Sequence, residues 1–256
     1  MKAATPAARI AAMGPALETT LIVLNASLYA AVGYLTFLGI FAPVVGTVRF
    51  WPVVVIPALF AVLFSPRIGA LGAGIGIFIS DMFIHGNPVL SLTVGVTSNL
   101  AGFYVLGLIY HRFSHIKNKA LIAGVLQTMP LAVMAVAAPL GWLGDEGTAT
   151  IFVAAGLVSL ALGLFFSLSR SKYALLVAAS SLGLIVGSLI IGFGLWAFSQ
   201  FSPLPFGIAQ APLYAAASWF LWTYLTEIPF LVIILPPLVT AVSRSLPARF
   251  GGVQVQ

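Results

Sequence analysis

The stretch Tyr173 to Phe198 reads YALLVAASSLGLIVGSLIIGFGLWAF, without a single charged residue. It is longer than the roughly 20 residues a helix needs to cross the hydrocarbon of a bilayer. Working outward from it, Pro, Gly and charge cluster at Ala42 to Arg49, Ser65 to Arg67, His85 to Pro88, His111 to Lys119, Gly144 to Gly147, Ser169 to Lys172 and Ser199 to Pro212. Between these breaks lie eight apolar segments, 19–41, 50–64, 68–84, 89–110, 120–143, 148–168, 173–198 and 213–241. The whole 256-residue chain has the same character: 61% apolar, 6% charged, with a mean hydropathy of +1.13. Soluble domains carry about 25% charge. With 5 acidic and 11 basic side chains the chain cannot coat a water-facing surface. A disordered chain, a soluble enzyme and a nucleic-acid binder are excluded. The expected fold class is all-α, a polytopic integral membrane helical bundle of about eight transmembrane helices.

The basic residues orient it. Lys and Arg that flank spans collect on the cytoplasmic side. With the N-terminus inside, Lys2, Arg9, Arg67, Arg112, Lys117, Lys119, Arg170, Lys172, Arg244 and Arg249 all fall in cytoplasmic segments. Only Arg49 falls outside, and the external loop Gly144 to Gly147 holds the acidic pair Asp145 and Glu146. The chain is therefore expected to have a cytoplasmic tail over 1–18, a single transmembrane domain over 19–241 and a cytoplasmic tail over 242–256, in the cell membrane as a multi-pass protein. Met1 to Pro15 has no apolar core of its own and does not read as a secretory signal.

No cofactor, metal or enzyme activity is expected. The absence of Cys removes disulfides, thiolate metal sites, iron–sulfur clusters and Cys nucleophiles. His111 and His115 are four apart, a metal-compatible spacing, but Arg112 and Lys117 beside them repel a cation. There is no HExxH, no Ser-His-Asp arrangement and no Walker motif. The glycines of the third span (Gly69, Gly72, Gly74, Gly76) and of the seventh (Gly183, Gly187, Gly192, Gly194) read as close helix packing, which in lipid depends on small residues.

A charge near the bilayer centre costs at least about 2.5 kcal/mol, so each one asks for an explanation. Glu227 lies in the last span beside Pro229, which removes a backbone donor. It reads either as a ligand or proton site or as a protonated side chain bonded to a neighbouring helix. Asp81 lies toward the outer end of the third span, before His85, and Arg49 lies at the outer edge of the second. These form either an interfacial ion pair or the two ends of a site for a zwitterionic ligand. Asn25, Asn99 and Gln127 are polar within other spans, and Asn99 sits on the most polar helix, with Ser91, Thr93, Thr97 and Ser98. Aromatics at the outer ends of the last two spans, Trp219 and Trp222 among them, read as interfacial anchors or as a stacking wall for a flat ligand.

Three stretches carry a family likeness: Asn25-Ala-Ser-Leu-Tyr-Ala-Ala31, Val48-Arg49-Phe-Trp51, and Pro57-Ala-Leu-Phe-Ala-Val-Leu-Phe-Ser-Pro66-Arg-Ile-Gly69-Ala-Leu-Gly72. Over residues 20–110 the chain resembles the substrate-binding S components of energy-coupling factor (ECF) vitamin transporters. The resemblance implies an S-component-like part over 19–110 and an outward-facing cavity for a small organic substrate. It makes Arg49, Asp81 and Asn99 ligand contacts, with Trp51, His85, Trp219 and Trp222 as further candidates. It also implies that Ala26 and Ala30 face a transmembrane coupling subunit driven by ATPase subunits, in which the chain itself hydrolyses no ATP. The sequence departs from the family in having eight expected spans where six are usual, and in lacking the amino-terminal His motif of metal-uptake members. Two other readings stand beside this one: a stand-alone proton-coupled secondary transporter using Glu227, and a structural or accessory subunit of a membrane complex.

Overall fold

The computed structural model describes residues 14–37, 44–45, 48–143, 146–169 and 172–245. Lys2, Arg9, Asp145, Arg170 and Arg249, which enter the orientation argument, lie outside the described residues. The chain is an all-α bundle of the polytopic membrane type. Among the described residues, seven helices are long and apolar enough to cross a bilayer: α1 (Pro15–Phe37), α3 (Pro66–Ile84), α4 (Pro88–Arg112), α5 (Lys119–Ala137), α6 (Glu146–Ser169, crossing over Ala149–Ser169), α7 (Ala174–Ser199) and α8 (Tyr214–Ile233). Each matches an expected segment to within a few residues at most of its ends.

The second expected span is corrected. A 3₁₀ turn, Pro52–Val54, runs into α2 (Val55–Leu63), and the apolar helix Pro52–Leu63 is too short to cross alone. At 1.5 Å per residue it reaches about 18 Å against a core of about 30 Å. It is preceded by a two-stranded antiparallel pair, β1 (Val44–Val45) and β2 (Val48–Arg49), with Val44 opposite Arg49. Val48 and Trp51 are both buried. This segment still joins opposite ends of the bundle. Arg49 pairs with Asp81 near the end of α3, whereas Arg67, just after α2, pairs with Glu18 at the start of α1.

The last expected span, 213–241, divides. Pro236 and Pro237 remove the amide donors that α8 needs to continue, and the chain restarts as α9 (Leu235–Ser245). Expected span 120–143 also ends early, at Ala137, followed by turns through Pro139 and Gly141, whose φ is +70°. Elsewhere local signals set the boundaries. Ser65 caps α3 by accepting from the Ile68 amide at 3.1 Å, with Pro66 in the first helical position. Asn87 caps α4 in the same way through the Leu90 amide at 3.0 Å, with Pro88 following.

Small residues bring the helices together. Gly72 and Gly76 of α3 lie against Asn25, Ala26 and Tyr29 of α1. Gly102 of α4 meets Gly183 and Gly187 of α7: a Cβ at Gly183 would stand 2.6 Å from the Gly102 carbonyl oxygen. Asn25 donates to the carbonyls of Ile68 and Gly69 at 3.1 and 3.2 Å. The α1–α3 seam overturns one expectation. Ala26 and Ala30 are buried inside the fold, and the Ala30 carbonyl accepts from Ser80 Oγ at 3.1 Å. Their small size serves the approach of α3, so neither is presented to a partner. The exposed side of α1 carries Val23, Leu24, Leu28 and Val32 instead.

Candidate functional site

Polar groups from six elements line one partly open cavity of about 120 Å³ between α1, the β2–α2 arm, α3, α4, α7 and α8. A water needs roughly 10–15 Å³ of such space, so the cavity has room for several waters or a small organic molecule. Its polar lining includes Arg49, Trp51, Asp81, His85, Asn99 and Glu227. The rest is largely apolar, with Ile77, Val94, Phe103, Leu184, Ile191 and Leu195 among the side chains.

Asp81 organises the outer end. Its Oδ1 accepts from Arg49 Nη2 at 2.6 Å, and its Oδ2 accepts from Ser91 Oγ at 2.7 Å. His85 Nδ1 accepts from the Asn87 amide at 3.1 Å, which leaves the ring proton on Nε2, 3.5 Å from Asp81 Oδ1. This neutral tautomer follows from the hydrogen bonds around the ring. Asp81 is 3% exposed and fully engaged. Local backbone makes this possible. Ser91 to Gly95 form a π-helical stretch within α4, a distortion that re-aims side chains and recurs at functional sites. Gly95 lies so close that a Cβ there would stand 2.7 Å from Asp81 Oδ2.

Arg49 is fixed from two sides. Beyond the Asp81 contact, its guanidinium carbon stands 4.9 Å from the Trp51 ring centroid, within cation–π range. Its Nη1 is buried and has no hydrogen-bond partner. Trp51 Nε1 donates to Tyr29 Oη at 2.9 Å, and Tyr29 Oη donates to Asn99 Oδ1 at 2.8 Å. Asn99 Nδ2 in turn donates to the Gly95 carbonyl at 2.9 Å. Tyr29 also packs edge-on against Trp51 and Phe103, with centroids 6.1 and 6.2 Å apart. A connected chain of bonds thus ties α1, the arm and α4 into one rigid wall.

The α7–α8 wall is different. Gly192 packs on Ala216 and Phe220, which sets the register of these antiparallel helices. Moving inward along them, Ser188, Thr223 and Glu227 enter the lining. Glu227 is 6% exposed, and its carboxyl has no hydrogen-bond or ion-pair partner among the described residues. Ser188 Oγ is likewise buried and unpartnered.

Of the residues singled out from sequence, Arg49, Trp51, Asp81, His85, Asn99 and Glu227 meet at this cavity. Trp219 and Trp222 do not line it. Both are buried, and Trp222 packs edge-on against Phe152 of α6 at 6.0 Å. Their place in a stacking wall at this cavity is corrected: both belong to the buried core, Trp222 on the side of α8 that meets α6. Gln127 is also elsewhere, donating to Ser181 Oγ at 2.6 Å. Tyr29, Phe103, Ser188 and Thr223 were not anticipated. Thr223 had a readable signal, since it precedes Glu227 by four residues and so shares its helix face. Ser188 and Phe103 had none, because a Ser or Phe in an apolar helix is ordinarily packing.

Compared with known proteins, the chain matches no family model, no curated protein and no solved structure.

Proposed function

We propose that this protein is the membrane-embedded substrate-binding subunit of an ECF-type importer in the cell membrane. It captures a small organic, vitamin-like micronutrient from outside and works with a transmembrane coupling subunit and ATPase subunits. The observation that carries the reading is the gathering of Arg49, Asp81, His85, Asn99 and Glu227 around one small cavity, in a protein whose remaining spans are almost without charge. Ionisable groups at membrane depth face such cavities when they serve a substrate pathway. A pre-formed apolar hollow with a few fixed polar groups is the usual form of a small-molecule site. The resemblance over residues 20–110 supplies the transporter class. The test is thermal-shift screening of the purified protein against water-soluble vitamins, paired with affinity purification from its native membrane. A saturable shift by one compound and co-purification of ATPase subunits are expected. Absence of both overturns the reading.

A second reading draws on Glu227, whose buried carboxyl lines the cavity without a partner. In a stand-alone secondary transporter it carries the coupling proton. That reading requires proton-driven uptake by the protein alone in liposomes, lost on Glu227→Gln. Uptake that survives the substitution rejects it.

A further inference from the structure

The polar groups of the cavity do not balance among themselves, and the imbalance describes what is missing. Arg49 supplies one positive charge, and Asp81 takes it at 2.6 Å. His85 adds none, because its Nδ1 accepts a hydrogen bond and its one ring proton faces Asp81. Glu227 is then left over: buried, lining the cavity, with no cation and no donor among the described residues to meet it. Ser188 Oγ, on the facing helix, is a buried hydroxyl that is also unused. Buried carboxylates are costly unless a charged, hydrogen-bonding partner compensates them. Here the described residues offer none, and Glu227 lines the open volume, whereas Ser188 Oγ is closed off from it by packing.

Resting on the capture reading above, the geometry points to a ligand that is a small organic cation: a protonated amine on a flat ring. Its ammonium is held by Glu227, which lines the cavity. Its ring lies along the edge-packed wall of Tyr29, Trp51 and Phe103. A carboxylate ligand is disfavoured, because it would face the Glu227 carboxyl across a lining whose one guanidinium is already paired with Asp81. One positive charge on the ligand makes the occupied site neutral, and charge-assisted hydrogen bonds are the stronger kind.

The test uses matched amine and alcohol pairs on the full-length protein in lipid nanodiscs, read by calorimetry and thermal shift. The probes are pyridoxamine against pyridoxine, tryptamine against tryptophol, and histamine against imidazole-4-ethanol. A second panel holds the neutral or anionic vitamins biotin, pantothenate, riboflavin and folate. At least one amine is expected to bind saturably and at least about tenfold more tightly than its alcohol. Glu227→Gln is expected to erase that preference without lowering the melting temperature of the ligand-free protein. Should neutral or anionic compounds bind while the amines do not, or should Glu227→Gln keep the amine preference, this inference falls and the capture reading stands. If neither panel binds, this inference falls, and the capture reading falls with it when no ATPase subunit co-purifies either. If an amine binds and no ATPase partner exists, the ligand assignment survives and the ECF assignment does not. The matched pairs judge the wild-type protein even if the variant fails to fold.

Discussion

At one end of the cavity Asp81 accepts from Arg49 and Ser91 and stands 3.5 Å from His85 Nε2, whereas further along α8 Glu227 accepts from nothing among the described residues. Both carboxyls are almost fully buried. Asp81 belongs to a frame: it holds Arg49 in place and ties α3 to the π-helical stretch of α4. Glu227 belongs to no frame, since α8 is positioned by apolar and small-residue contacts such as Gly192 on Ala216. A buried polar group that is completely satisfied specifies structure, and one left unsatisfied in contact with open volume is available for binding. The difference separates the scaffold of the site from its working surface.

Five substitutions break or sharpen that contrast. The largest effect is expected at Asp81. Asp81→Ala removes the common acceptor of Arg49 and Ser91 and strands the Arg49 charge, which should cost about 3–5 kcal/mol of stability and appear as a large fall in melting temperature in detergent. A melting temperature close to wild type would mean that the cluster is not the frame described here. Next comes the contact that closes the back of the cavity. Gly183→Ala places a methyl group against the Gly102 carbonyl, and forcing α4 and α7 apart should cost about 1–3 kcal/mol, checked by the same unfolding assay. Gly187→Ala, whose Cβ would meet the Ser98 carbonyl at 3.3 Å, should cost less. A smaller effect is expected for Trp51→Phe, which keeps an aromatic ring beside Arg49 but loses the Nε1–Tyr29 bond. That should cost about 0.5–1.5 kcal/mol, with a change in intrinsic fluorescence as an independent readout. The smallest is expected at Glu227, where Glu227→Gln removes an unpaired carboxyl and should leave stability within about 0.5 kcal/mol of wild type or raise it. A loss comparable with that of Asp81→Ala would show that Glu227 has a structural partner after all.

Much of this was legible before the fold. The apolar runs placed the seven long helices, because a bilayer admits few solutions to backbone hydrogen bonding. Asp81, Glu227 and Arg49 stood out because charge is so rare in this chain. The shortness of the second crossing was not legible, since the apolar run 50–64 looks alike whether its first residues are helix or extended arm. Nor was the division of roles among aromatics. Trp222 and Trp51 have the same chemistry, and only the facing helix decides that one packs on Phe152 while the other reaches Tyr29. Ala26 and Ala30 teach the same point: small residues announce a close approach without saying whether the neighbour is α3 or another subunit.

Composition and the spacing of apolar runs determined that this chain is a bundle of membrane helices, because transfer to lipid is a sum over residues and needs no knowledge of neighbours. Which charges neutralise one another was decided only by the fold. Coulomb and hydrogen-bond energies depend on distances of a few ångströms between side chains far apart in sequence, such as Arg49 and Asp81, and on the donors that never reach Glu227.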